Sequence, residues 1–411
     1  MLKNNKRLLT NLILIGISLF GIYPLIPHRL ESLSVVLLTL CSIAYIIITG
    51  RKKTYTKTFF IVSFIYFALL LSALLSVNKL EGFKKIETMF SLLVFPIVFY
   101  FLLGKTFIDF SKTRNFFLKS YYISSLIFST ISFYLFTIYE NPKYLVADSN
   151  FYRSAILDNN FIGEHPIYVS IFISIAIIFG FSFFDKEKKI TWKNLFLLFT
   201  QGYLITLLLM LMSKGVILAL IVVFLFNLIR QKNTRITYVV SAVVVLILFF
   251  IFIPEKNNRF KEIINLNSYE ILDKNNSTSI RVVIYKCGIE TLIKSPIFGY
   301  GIGDVQEQLD ICYSTNNSNF VKGMYNSHNQ YLFIWLSTGI IGFLIFISFL
   351  IFYFKKAIQY KDSIMFSVLV LYCVIFLFEN VLSRQSGVIF FSFMVNYFLW
   401  DNFNRNKTNI K

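Results

Sequence analysis

His328 stands between Asn326 and Asn329 at the head of the apolar run YNSHNQYLFIWLSTGIIGF, residues 325–343. An imidazole at the start of a helix is biased toward neutrality by the helix dipole, and a neutral ring can accept a proton. Ser327 and Asn326 are candidate caps for that helix, and Tyr325, Asn329 and Tyr331 are polar neighbours that could orient a ligand or the base. Three cations are candidates to bind an anion: Arg281 at the start of SIRVVIYKCGIETLIK, Lys214 between two apolar runs, and Arg384 in ENVLSRQSG. Arg281 is the sharpest of them, because free N–H groups at a helix N-terminus and a planar guanidinium together suit phosphate. Its competing use is pairing with lipid headgroups, and that of Arg384 is pairing with Glu379.

The remaining candidates divide. His165, in FIGEHPIYVS, reads equally as a substrate-binding group and as a cap before Pro166, whereas His28, beside Arg29, reads as an interfacial residue. Asp304, Glu307 and Asp310 recur every third residue and form a conceivable metal site. Carboxylates alone seldom make one without tighter clustering, so a solvated acidic face is expected there, and no metal site is assigned.

These residues need a frame, and the composition supplies one. Of 411 residues, 56% are hydrophobic, 18% aromatic and only 15% charged, against about 25% charged in a soluble domain. The chain reads as an all-α, polytopic integral membrane protein. Twelve apolar runs fall near 8–27, 32–50, 58–76, 88–104, 120–139, 166–184, 195–212, 216–229, 236–254, 329–353, 364–378 and 387–400. The first follows MLKNNKR without a small-residue cleavage site, so it reads as an uncleaved span. With the N-terminus in the cytoplasm, the inner connections hold 24 Lys+Arg and 5 Asp+Glu, while the outer ones hold 16 of each. The formal charge of +19 thus lies on the inner side. Positive charge spread over short cytoplasmic turns explains the basicity without a nucleic-acid partner. Residues 195–229 as one helix would be about 52 Å long, so two short helices meeting at Ser213, Lys214 and Gly215 are expected.

The chain reads as a single membrane domain, 1–411, with no linker or internal repeat. Its outer surface carries the connections 140–165 and 255–328, the second being one large extracytoplasmic segment between spans 9 and 10. Within it, Ser279 to Lys294 carries Ile280, Val283, Ile284, Cys287 and Leu292 near one face of an amphipathic helix. Pro296 ends that helix, Gly299, Gly301 and Gly303 permit a tight turn, and DVQEQLDICY is a second short helix. Cys287 and Cys312 lie on the oxidising side, where they stand either as a disulfide or as separate thiols; Cys41 and Cys373 lie inside spans.

The segments SIRVVIYKCGIETLIKSPIFGYGIGDV and NSHNQYLFIWLSTGIIGFLIF resemble the O-antigen ligase and O-antigen polymerase superfamily of bacterial envelope glycosyltransferases. There, an Arg-containing helix leads into a P-x-x-G-x-G-x-G turn, and a His-Asn pair then opens a Gly-containing span. Here these are Arg281, then Pro296, Gly299, Gly301 and Gly303, then His328 and Asn329 with Gly339 and Gly342. Many relatives carry S-R-G where this chain has Ser213, Lys214 and Gly215; lysine keeps the charge and loses the fork.

The resemblance implies transfer of a glycan from an undecaprenyl diphosphate carrier to an acceptor hydroxyl at the outer face of the inner membrane. Arg281 and Lys214 would hold the diphosphate, His328 would be general base, and His165 and Arg384 would be of second rank. The expected transfer is inverting, metal-independent and without a cofactor; the partners are the carrier-linked donor, a lipid A-core or other glycan acceptor, and membrane lipids. Ligase is the leading expectation, and a polymerase or a protein O-oligosaccharyltransferase the alternative. A lipid-linked oligosaccharide flippase is the rival outside enzymes. Such a transporter calls for internal symmetry and polar residues near the midplane, and the sequence offers neither.

Overall fold

A computed structural model describes residues 2–49, 56–102, 110–139, 152–153, 156–157, 164–184, 191–230, 262, 265–270, 276–316 and 325–408. The described residues are helical, with no strand. The helices are α1 (Leu2–Gly21), α2 (Glu31–Thr49), α3 (Thr56–Leu75), α4 (Lys79–Thr88), α5 (Ser91–Leu102), α6 (Phe110–Tyr139), α7 (Pro166–Phe181), α8 (Trp192–Met210) and α9 (Lys214–Arg230). After a one-turn helix, Asn267–Glu270, come α10 (Ser277–Lys294), α11 (Val305–Asn316), α12 (Gln330–Gln359), α13 (Ser363–Ile375) and α14 (Gln385–Thr408). The expected run 236–254 and parts of both long outer connections lie outside the described residues.

Four helical stretches are long and apolar enough to cross a membrane by length and composition: Lys57–Leu75, Lys112–Ile138, Trp192–Met210 and Gln330–Gln359. Further apolar helices are shorter, among them Pro166–Phe181 and Ser363–Ile375. The expected division of 195–229 is present. Met212 turns to φ 49°, and Ser213 Oγ accepts from Ser170 of α7 at 2.7 Å.

Two helices are buried on all sides: α7, which is apolar all round as expected of a helix without a solvent face, and α14, which buries Asn396, Asp401, Asn402 and Asn404 together with its aromatic residues. Nearly every residue of α7, and of α14 from Ser386 to Asn404, is buried. Aromatic rings pack α1, α5 and α6 onto α14: Phe20 stacks on Phe393 at 3.9 Å, Tyr23 on Phe390 at 5.0 Å and Tyr121 on Phe390 at 5.2 Å. Such ring pairs add about 0.5–1.5 kcal/mol each beyond the area they bury.

The expected span 329–353 is not a continuous helix. Gly339 has φ 65° and ψ −171°, which divides α12 into nine residues before the break and twenty after it, about 14 Å and 30 Å long. Into this break fits the turn after Pro296. Tyr300 N donates to Leu336 O at 2.8 Å, Gly301 N to Ser337 O at 3.1 Å, and Ile340 N to Pro296 O at 3.1 Å. Backbone groups freed by a broken helix must find partners inside the protein, and the turn supplies them. A Cβ on Gly339 would meet Ile297 O at 1.9 Å, and one on Gly299 (φ 69°) would meet Leu336 O at 2.6 Å.

The far side of the turn is keyed to the elbow between α3 and α4. Ile302 N donates to Ser72 Oγ at 2.9 Å and Gly303 N to Ser76 Oγ at 3.0 Å. Asp304 accepts from Val77 N at 2.7 Å and Asn78 N at 2.8 Å. The expected solvated acidic face is therefore corrected, since Asp304 and Asp310 are both buried and Asp304 satisfies backbone donors near the start of α4. Asp310 accepts from Gln306 at 3.0 Å.

Candidate functional site

The amphipathic helix α10 begins where its sequence directs. Asn276 Oδ1 accepts from Thr278 N at 2.9 Å and from Ser279 N at 3.1 Å, a capping arrangement that typically contributes about 1 kcal/mol. The helix buries Ile284, Cys287, Gly288 and Thr291. Cys287 and Cys312 form a disulfide, their Cα atoms 5.6 Å apart, which ties α10 to α11 across 25 residues of chain. In the chain-entropy account a closure of that length is worth roughly 3–4 kcal/mol.

Tyr285, one turn after Arg281, bridges α10 to the histidine. Its hydroxyl lies 3.3 Å from His328 O and 2.9 Å from Leu377 O. His328 itself takes φ 42°, a left-handed conformation that persists in a side-chain-bearing residue only where neighbours hold it. Those neighbours are present. His328 N donates to Asn326 Oδ1 at 2.8 Å, and Ser327 and Asn380 side chains bond at 2.9 Å. Gln330 N donates to Phe376 O at 2.8 Å, and Leu382 N to Gln330 Oε1 at 2.8 Å.

His328 Nδ1 lies 3.3 Å from Glu379 Oε2. A carboxylate at that distance keeps the proton on Nδ1 and leaves Nε2 as the acceptor. Burial pushes the Glu379 carboxyl up, but the hydrogen bond from His328 and the charge of Arg281 outweigh it and hold the carboxyl below its usual range. Sequence reading placed Glu379 only as a partner for Arg384. Among the described residues, Arg384 makes no ion pair with it.

A cleft beside this pair is lined by Arg153, Lys214, Ser277, Arg281, Phe378 and Glu379, with others. Arg281 and Lys214 thus share one opening with the partner of His328, although 46 residues separate Arg281 from His328. The two cations differ in their engagement. Lys214 Nζ meets Glu262 at 2.7 Å, Thr278 Oγ1 at 3.1 Å and Ser277 Oγ at 3.2 Å. Among the described residues, the Arg281 guanidinium makes no hydrogen bond or ion pair. Arg153 is an addition that no motif announced; it reaches Leu211 O and, at 3.4 Å, Ser213 Oγ, bracing the break between α8 and α9. Arg384 is exposed and lies near enough to His165 and His28 to act on both electrostatically.

The other expected residues are mostly engaged in holding the backbone. Asn329, rather than Ser327 or Asn326, caps α12 and accepts from Leu332 N at 3.0 Å. Tyr331 donates to Cys373 O at 3.0 Å, which directs its hydroxyl to α13. Tyr325 is partly buried, and its carbonyl accepts from Gln306 at 2.9 Å.

His165 is the N-cap of α7, and its Nδ1 accepts from Ile167 N at 3.3 Å. Burial, followed by the charge of Arg384, pushes the imidazole down to about 4. Unfolded, the ring takes its proton near pH 6.5. The unfolded chain therefore binds more protons between pH 6.5 and about 4, and stability falls as the pH drops through that window. His165→Asn keeps a capping acceptor without titrating, so it is expected to flatten the fall of melting temperature in detergent between pH 7 and 4. An unchanged slope would rule out the neutral-cap role.

Residues 196–347 match the family model described as O-Antigen ligase, and the superfamily resemblance holds over that stretch. The match takes in Lys214, Arg281, Tyr325, His328, Asn329, Tyr331 and the broken helix at Gly339; His165, Glu379 and Arg384 lie beyond it. It supports glycan transfer of the O-antigen ligase or polymerase kind, from a lipid-linked donor to a glycan acceptor, in a membrane protein. No curated protein matches the chain.

Proposed function

We propose, from an O-antigen ligase match that includes both Arg281 and His328, that the protein is a glycosyltransferase moving a glycan from undecaprenyl diphosphate to an acceptor hydroxyl. The observation that carries this reading is the cleft itself. There Arg281, whose guanidinium makes no hydrogen bond or ion pair among the described residues, lines the same opening as Glu379, which in turn holds His328. In the reaction His328 Nε2 takes the acceptor proton, the acceptor oxygen bonds to the anomeric carbon, and that carbon's bond to the diphosphate breaks with inversion. The electron pair leaves with the carrier diphosphate. Arg281 stabilises the charge developing there, with Lys214 as a second cation once the diphosphate competes with Glu262 for it. These groups supply the neutralisation that a metal ion would otherwise give.

The same reading puts twelve spans in the inner membrane as one domain, with both termini cytoplasmic, the external segment 255–328 in the periplasm and the cleft facing it. The loop charges support this sidedness, as does a disulfide in the external segment. Lipid A-core is the leading acceptor, ahead of a growing polymer or a protein hydroxyl. Deleting the gene tests the proposal. Carrier-linked glycan is expected to accumulate facing the periplasm, with bare lipid A-core in the lipopolysaccharide profile. Core bearing one repeat would mean a polymerase, and accumulation on the cytoplasmic side would mean a flippase and overturn transfer altogether.

A further inference from the structure

We propose that His28, Glu31 and Glu164 form a divalent-cation site that ties the turn between α1 and α2 to the starts of α7 and α14. The ligand atoms of the three side chains all lie within 4.8 Å of one another. His28 Nδ1 is 3.3 Å from Glu31 Oε2 and 3.5 Å from Glu164 Oε2. Ser386 Oγ joins them, 2.9 Å from His28 Nδ1 and 2.8 Å from Glu164 Oε2. Four heteroatoms from three parts of the chain therefore converge on one point.

Charge, more than hydrogen bonding, is what the cluster lacks. Glu164 accepts from Ser386 Oγ at 2.8 Å and from His165 N at 3.0 Å, and the Tyr23 hydroxyl lies beside Glu31, yet a hydrogen bond from a neutral donor leaves each carboxylate's charge in place. The carboxylates cannot turn to water, because the Glu31 side chain is 2% exposed and that of Glu164 10%. Among the described residues neither forms an ion pair with lysine or arginine. Buried charges are paired or coordinate metals, and among the described residues one half-exposed histidine is the only cationic partner for two buried acids. A divalent cation among them would satisfy both Oε2 atoms and the imidazole at once. One nitrogen and two carboxylate oxygens suit Zn²⁺ or Mn²⁺.

Position gives the site its purpose. Glu164 immediately precedes His165, the cap of α7, and Ser386 follows Arg384 by two residues. A cation here would hold the backbone on which both of those groups stand, without entering the transfer step. The proposal does not depend on glycan transfer.

The test uses the full-length, tag-free protein in detergent, stripped with chelator and titrated with MnCl₂ or ZnCl₂. Wild type is expected to bind one equivalent, by elemental analysis after desalting, and to melt several degrees higher as the ion is added. The Glu31→Gln/Glu164→Gln variant should lose both responses. Glu164→Gln alone guards against a variant that simply fails to fold: free of metal, it should melt at or above wild type, because one buried charge has been removed. No stabilisation of wild type at millimolar ion, an equal response in the double variant, or a metal-free Glu164→Gln that melts well below wild type would each overturn the site. The last result would mean that the carboxylates are already satisfied by a shared proton.

Discussion

His328→Ala is expected to insert and fold while losing transfer by about 10²- to 10⁴-fold in kcat, the contribution typical of a positioned general base. The assay is glycan attachment from a purified lipid-linked donor, with donor binding measured separately. Binding should change little, because the ring acts on the acceptor hydroxyl. Glu379→Gln provides the internal check. It keeps the shape next to His328 Nδ1 but removes the charge, so its loss should be smaller than that of His328→Ala. Retention of near-normal transfer by His328→Ala would remove the histidine from the mechanism. Loss of melting temperature together with activity would instead mean that the ring, through its contact with Glu379, holds the local fold.

Arg281→Ala is expected to cost about 10²- to 10³-fold in transfer, the scale seen when one group stabilising a developing negative charge is removed. Arg281→Lys should keep much more, since it retains the charge and loses only the planar fork. The same pair of changes at Lys214 should have smaller effects. Lys214 already spends its ammonium on Glu262 and two hydroxyls, whereas the Arg281 guanidinium is unengaged among the described residues. Donor KM and kcat measured for Ala and Lys variants at both positions decide the matter. Equal and mild losses at position 281 would mean headgroup pairing and no role in the cleft.

Much of the frame was legible because apolar runs between charged turns leave little choice of structure. The amphipathic helix at 279–294, the turn at Pro296 and the division near Ser213 all follow from local signals: a periodicity, a proline and a run too long for one span. The short helix α4 escaped because its ten residues, KLEGFKKIET, are charged and make no apolar run. Partnerships between distant residues were illegible for a different reason. Glu379 meets His328 across 51 residues, and Glu262 meets Lys214 across 48; no spacing rule reaches that far. Asp304 was misread because its partners are backbone N–H groups, which every residue but proline carries and no residue type advertises.

Gly339 also governs what can be exchanged between relatives. The nine residues behind His328 are hydrogen-bonded at their far end to the turn after Pro296, and the twenty beyond the break run on as a separate helix. Residues 277–338 therefore make a cassette, stapled by its own disulfide, that carries Arg281 and His328 together. A chimera cut at its two ends would inherit both groups in register and would ask of the host Glu379, Asn380 and the carbonyl of Phe376 on one side, and Ser72, Ser76 and the Val77 and Asn78 N–H groups of the α3–α4 elbow on the other. Exchange of this one block would move Arg281 and His328 as a unit while the remaining helices stay as they are.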